Sequence, residues 1–111
     1  METTRQEKIA RLLMKEMGEI FLVYAREHQG ILISVSEVRI TPDLSQARVF
    51  LSIFPGDKAQ DMLKQIQVDT KKIRFMLGSR VRHQLRIIPE LIFQIDGTLD
   101  YLENIDQLLK Q

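Results

Sequence analysis

The chain of 111 residues contains no cysteine and no long apolar run. The absence of cysteine excludes disulfides, thiolate metal sites and a cysteine nucleophile. No segment approaches the roughly 20 consecutive apolar residues that a membrane-spanning helix needs. The charged start, Met1 to Lys8, lacks the apolar region of a secretory signal. We therefore expect a cytoplasmic protein that does not interact with membranes.

Catalytic and metal-binding signatures are also missing. No glycine lies between Gly56 and Gly78, so there is no glycine-rich loop for phosphate groups. His28 and His83 have no companions that suggest catalysis, and the acidic residues between positions 96 and 106 fit no calcium loop. We expect no enzyme activity, cofactor, metal or small-molecule substrate.

Positive charge is concentrated in one segment, although the formal net charge is only +1. Residues 70–89 contain six lysines and arginines and no acidic residue, whereas residues 90–111 contain one basic and five acidic residues. A dense positive patch beside an acidic segment favours binding to a phosphate backbone in one orientation.

Hydrophobic periodicity predicts the order helix, strand, strand, helix, helix, strand, helix. The first helix starts near Thr4, and the first strand covers residues 31–40 with a bulge near Ser36 and Glu37, where the alternation slips. The third helical stretch is expected to continue until Pro89 stops it.

This order predicts a single α+β domain over residues 1–111. Two hairpin strands and a third strand that returns by a crossover form a three-stranded mixed sheet with helices on one face. The order is that of a type II KH fold with an extra C-terminal helix. Ordinary KH domains clamp a single strand at a Gly-x-x-Gly loop. Here residues 68–71 carry side chains instead, which argues against such clamping.

Three segments carry a resemblance to a known family. Residues 38–49 contain the turn Pro42-Asp43-Leu44-Ser45, residues 73–80 lie in a helix, and residues 85–93 contain Arg-x-x-Pro-Glu-Leu-x-Phe. Together these motifs resemble the ribosome-binding factor A family over essentially the whole chain. The resemblance implies a KH-like fold without a Gly-x-x-Gly loop. It also implies binding to the free small (30S) ribosomal subunit and assistance in maturation of its 16S rRNA, including 5′-end processing.

The chain departs from the family where the two middle helices meet. Asp69-Thr70-Lys71 stands where the resemblance implies an Ala-x-Gly kink. We predict that Asp69 or Thr70 caps the following helix and supplies the break without glycine.

Basic side chains are predicted to form the RNA-binding surface. On a helical wheel, one arc of the third helix is positive and faces away from the apolar stripe. The candidate RNA-binding residues are Lys71, Lys72, Arg74, Arg80, Arg82, His83 and Arg86. A second basic stripe on the first helix, Arg5, Lys8, Arg11 and Lys15, is either a solvated face, the favoured interpretation, or a secondary RNA contact.

Aromatic residues leave two alternatives open. Phe75 lies within the basic arc and is either a stacking platform or, the favoured interpretation, a core residue. Phe50 and Phe54 alternate to one face of the second strand, where packing under a helix or terminus is favoured over stacking on bases.

The leading hypothesis is a monomeric, non-enzymatic assembly factor that contacts structured rRNA without reading its sequence. The rival is a protein-interaction module in which the acidic C-terminal helix or an edge strand binds the partner and the basic patch is incidental.

Overall fold

A computed structural model describes residues 4–96 of the chain. Its elements are α1 (Thr4–Arg26), β1 (Leu32–Ile40), β2 (Gln46–Phe54), a 3₁₀ turn (Gly56–Lys58), α2 (Ala59–Val68), α3 (Thr70–Val81) and β3 (Glu90–Ile95). The predicted order is confirmed as far as the third strand. The predicted C-terminal helix lies outside the described residues. Within residues 4–96, no helix is both long and apolar enough to cross a membrane.

The sheet has the predicted mixed topology. β1 pairs with β2 in antiparallel orientation, and β3 lies parallel to β2 on its other side. The register places Ala47 beside Leu91 and Val49 beside Phe93, and all four side chains are buried in the core. The predicted bulge is confirmed, because the β1–β2 register shifts between Val35 and Glu37.

Helix α1 covers the sheet and contacts both β1 and α3. Its apolar residues recur at three- and four-residue spacing, so they form one buried face. The buried residues of this face include Ile9, Leu13, Met17, Ile20, Phe21 and Tyr24. Gln6 is also buried, and its Nε2 donates a hydrogen bond of 2.9 Å to the Ile40 carbonyl. This bond fixes the start of α1 to the end of β1.

The turn between β1 and β2 is organised by Asp43. Its carboxylate accepts hydrogen bonds of 2.8 Å from the Thr41 and Ser45 hydroxyls. These bonds, with that of Thr41 the largest contributor, lower the pKa of Asp43. Leu44 adopts a left-handed conformation with φ of 63°, which costs a non-glycine residue roughly 1–2 kcal/mol. Its side chain packs against the core, which offsets that cost.

The sheet face opposite the helices is largely exposed. Leu32 and Phe54 are 68% and 66% exposed, and Phe50 is half-buried with the Arg39 guanidinium 5.6 Å from its ring centre. The favoured prediction that Phe54 packs under a helix or terminus is therefore wrong. No helix within residues 4–96 covers this face, because α1 packs on the opposite one.

The predicted break between the two middle helices is confirmed at Asp69, where ψ is 12°. The predicted capping mechanism is wrong, because the Asp69 side chain makes no capping hydrogen bond to α3. Its carboxylate instead accepts bonds from the Tyr24 hydroxyl (2.7 Å) and from Gln65 Nε2 (3.0 Å). The Thr70 hydroxyl donates backwards to the Gln67 carbonyl at 2.8 Å. The junction is thus tied to α1 across the fold.

Helix α3 ends earlier than predicted. It stops at Val81, and the backbone N–H groups of Gln84 and Leu85 both donate to the Val81 carbonyl in a turn. The prediction of a helix reaching Pro89 is wrong. Leu85 continues the apolar spacing and packs against the core without being helical. The Arg74 guanidinium binds the carbonyls of this returning segment, which holds it beside α3.

Candidate nucleic-acid interface

One exposed stripe runs along α3 on the side away from its buried residues. Lys71, Phe75 and Ser79 are spaced four residues apart and are all exposed. Arg82 follows three residues later and keeps helical backbone angles, so it continues the stripe. The stripe therefore has a cation at each end and an aromatic ring between them.

Two further predicted residues lie beyond the helix. His83 is exposed in the turn that follows α3, and Arg86 is exposed in the bend before Pro89. The prediction that they continue a helix face is wrong, because α3 has already ended. They nevertheless remain at the end of α3 that carries Arg82.

Three of the predicted residues, Arg80, Lys72 and Arg74, interact with other groups of the protein. Arg80 forms ion pairs with Glu16, at 2.6 Å, and with Glu19, so it joins α3 to α1. Lys72 lies 3.9 Å from a Glu27 carboxylate oxygen with both side chains exposed, which is a weak interaction. The Arg80 pairs partly neutralise a cation that the sequence presents as free.

Arg74 is engaged with neutral groups rather than with acids. Its Nε donates to the Pro89 carbonyl at 3.2 Å and its Nη2 to the Ile88 carbonyl at 2.6 Å. Because carbonyls carry no formal charge, these bonds fix the guanidinium without cancelling its charge.

The remaining residues predicted for the surface on and after α3 have no hydrogen-bond or ion-pair partner among residues 4–96. They are Lys71, Arg82 and Arg86, together with the neighbouring His83. Exposed, unpaired cations repel one another in the free protein and have no internal structural role. They are available to an anionic partner.

The secondary basic stripe lies on the solvent side of α1, where Arg5, Lys8, Arg11 and Lys15 are all exposed. Arg5 and Arg86 line the same cleft, which has a volume of about 440 Å³ and also includes Leu44 of the β1–β2 turn. The structure thus brings the start of α1 next to the segment after α3.

Phe75 is 77% exposed, so the favoured interpretation as a core residue is wrong. It borders a shallow depression of about 390 Å³ that Lys71, Arg74 and Ile88 also line. An aromatic ring with cations on either side is an arrangement that can contact nucleotides.

Metal ligands do not cluster in this part of the chain. Among residues 4–96, no group of three or more histidine, aspartate or glutamate side chains could hold a metal ion. The surface described above offers positive charge and an exposed ring.

The family model of ribosome-binding factor A matches residues 5–109. The chain belongs to the ribosome-binding factor A family. Ribosome-binding factor A of Cytophaga hutchinsonii is 46% identical over 112 residues, which cover 100% of this chain and 84% of that relative. The Flavobacterium johnsoniae relative is also 46% identical, over 98% of this chain and 85% of its own length. The family predicted from the three motif segments is thereby confirmed.

Solved structures of the family share the fold. The crystal structure of ribosome-binding factor A from Thermus thermophilus superimposes with a TM-score of 0.65 at 22% identity, over 81% of this chain and 94% of that one. A homology model of the Thermus thermophilus protein, fitted into the cryo-EM map of a complex with the 30S subunit, gives a TM-score of 0.64 at 23% identity, over 78% and 90% of the two chains. The predicted α+β fold with a mixed three-stranded sheet is confirmed.

The sequence did not predict the roles of two residues in this site. Tyr24 holds the helix junction through Asp69, and Glu16 holds Arg80. In the sequence, each is marked only by a polar group on α1, the Tyr24 hydroxyl and the Glu16 carboxylate, and nothing local shows that either faces its partner.

Proposed function

We propose that the protein is a non-enzymatic assembly factor that binds the free small ribosomal subunit and contacts its 16S rRNA. The proposal rests on the exposed cations Lys71, at the start of α3, and Arg82 and Arg86, at and beyond its end. None of them has a hydrogen-bond or ion-pair partner among residues 4–96, and the chain belongs to the ribosome-binding factor A family. The relatives' name states that they bind the ribosome, and the Thermus thermophilus protein is described in a complex with the 30S subunit.

Within this proposal, Lys71, Arg82, His83 and Arg86 contact backbone phosphates. Arginine can bind phosphate oxygens in a bidentate way, whereas lysine acts as a mobile point charge. Such contacts suit structured RNA that is recognised by shape rather than by sequence. Arg5 extends the surface across the cleft that it shares with Arg86, and Lys8, Arg11 and Lys15 form a secondary contact along α1.

Three of the sequence candidates take a different part in the proposal. Arg80 positions α3 against α1 through its ion pairs, Lys72 makes only a weak contact with Glu27, and Arg74 supports the segment before β3. Arg80 therefore contributes to RNA binding mainly by holding α3 in place, whereas Arg74 and Lys72 keep their charge available to the RNA.

We further propose that binding assists maturation of 16S rRNA, including processing of its 5′ end, in the cytoplasm. The chain acts there as a monomer and as a single domain over residues 1–111. It changes the accessibility or folding of the rRNA and leaves cleavage to other proteins. Cleavage of precursor 16S rRNA by the purified protein alone would contradict this division of labour.

Salt dependence tests the phosphate contacts. Because each neutralised phosphate releases counterions, log K for small subunits should fall linearly with log salt concentration, with a slope between about −3 and −6. The range corresponds to the unpaired cations Lys71, Arg82 and Arg86 plus part of the α1 stripe. Binding curves by sedimentation at several potassium chloride concentrations, with magnesium held constant, provide the measurement. A flat response would instead favour a protein partner bound through an edge strand of the sheet.

A further inference from the structure

Phe75 is exposed where an aromatic side chain has no structural use. The ring is 77% exposed on α3, while Phe21 and Phe93 are buried and pack edge to face at 5.8 Å. An exposed phenylalanine within a basic stripe contributes nothing to the core. Its position on the surface that we propose for RNA gives it a candidate partner.

The surroundings of the ring form a small site. Lys71 lies one helical turn before Phe75 on the same face, and Ile88 supplies an apolar wall. These side chains border the shallow depression of about 390 Å³. The depression is open to solvent on one side, so a single nucleotide of a large RNA could enter it.

The Arg74 guanidinium is fixed at the edge of this site. Its bonds to the Ile88 and Pro89 carbonyls hold the position and leave the positive charge intact. The site therefore combines a flat aromatic ring, an apolar wall, one fixed cation and one mobile cation, Lys71. None of the four residues that line the depression is acidic.

This combination matches an unpaired nucleotide. Bases of every type stack on aromatic rings, and the adjoining phosphate is anionic, so one nucleotide satisfies both halves of the site. We propose that Phe75 is a stacking platform for one unpaired base of the rRNA, with Lys71 and Arg74 binding the adjacent phosphate. This inference rests on the proposed function and adds a single-stranded contact to it.

The chain contains no tryptophan, which provides a direct readout. In Phe75→Trp, the indole is the only one in the protein, and stacking of a base on it should quench its fluorescence. Oligouridylate should quench it, while an RNA duplex of equal length should not. The matched control Phe54→Trp, at a residue 66% exposed on the open sheet face, should remain unquenched. Equal quenching at both positions, or none at position 75, would overturn the proposal.

Affinity measurements separate stacking from simple burial. Phe75→Ala and Phe75→Leu should each weaken binding to small subunits about tenfold, as expected for loss of one stacked base, whereas Phe75→Tyr should bind normally. Full binding by Phe75→Leu would mean an apolar contact with a protein and would overturn the inference. Full binding by all three variants would also overturn it. If the proposed function itself were wrong, the unmodified protein would bind in a salt-independent way. This result separates failure of the proposed function from failure of the Phe75 inference alone.

Discussion

Replacing Arg82 and Arg86 together with glutamate is expected to abolish co-sedimentation of the protein with small ribosomal subunits. Both side chains are exposed and have no partner among residues 4–96, so the fold loses no interaction. Substitutions of this kind usually change the free energy of unfolding by less than about 0.5 kcal/mol. The bound state, in contrast, loses two phosphate contacts and gains two repulsive charges. We expect affinity to fall at least about a hundredfold, or roughly 2.7 kcal/mol.

The matched control is the double substitution Lys58→Glu with Lys64→Glu. Both lysines are exposed at the 3₁₀ turn and α2, and the change in net charge is the same. This variant should lose much less affinity, because only long-range attraction is weakened. Equal losses in the two double variants would show that net charge, rather than the surface at the end of α3, governs binding. Unchanged binding by the Arg82 and Arg86 variant would reject that surface altogether.

The substitution Tyr24→Phe is expected to lower the free energy of unfolding by about 2 kcal/mol, the effect of losing a hydrogen bond to a charged group. The Tyr24 ring is buried on α1, and its hydroxyl donates at 2.7 Å to the Asp69 carboxylate between α2 and α3. Phenylalanine preserves the packing and removes only this bond. Urea unfolding at neutral pH provides the measurement.

The same hydrogen bond should also affect how stability depends on pH in the alkaline range. Burial, and next the hydrogen bond to Asp69, raise the pKa of Tyr24 above the ordinary tyrosine value of 10.0. A raised pKa in the folded state contributes stability that is complete below pH 10 and is lost as pH rises above it. The unmodified protein should therefore lose more stability above pH 10 than Tyr24→Phe does.

A control for this prediction is available in Gln65→Ala. It removes the other side chain that donates to Asp69 while leaving the tyrosine in place. Gln65 is exposed, so this variant should be destabilised by less than Tyr24→Phe, and its alkaline loss should match that of the unmodified protein. Equal stability of Tyr24→Phe and the unmodified protein would show that the Tyr24–Asp69 bond does not stabilise the junction.

Local patterns predicted much of the fold. The bulge at Ser36 followed from a slip in strand alternation, because side chains alternate strictly between the two faces of a strand. The end of α3 did not follow, because Val81 and Leu85 keep helical spacing although only Val81 is helical. Beyond Val81 the chain turns back, and Arg74 binds the carbonyls of Ile88 and Pro89 in the returning segment, which is a tertiary contact that the local pattern does not show.

Charge partners were equally hidden. The sequence shows how many cations lie between residues 71 and 86, but Arg80 is paired with Glu16, 64 positions away along the chain. The helical wheel placed Phe75 in the basic arc, and only the tertiary structure shows that the side chain is 77% exposed there. Local chemistry thus predicted the candidate surface, and the packing of α1 on α3 decided which of its cations are free.

Site-directed cross-linking shows whether the exposed stripe of α3 faces 16S rRNA, and the unmodified chain has no cysteine that would also react. Ser79→Cys places a thiol on the exposed stripe of α3, and Ser34→Cys places one on the exposed side of β1, away from the helices. Each variant would carry a thiol-linked photo-cross-linker and be bound to small subunits. We predict cross-links to 16S rRNA from position 79 and few from position 34. Cross-links to rRNA from position 34 and none from position 79 would show that the open sheet face, rather than α3, faces the rRNA.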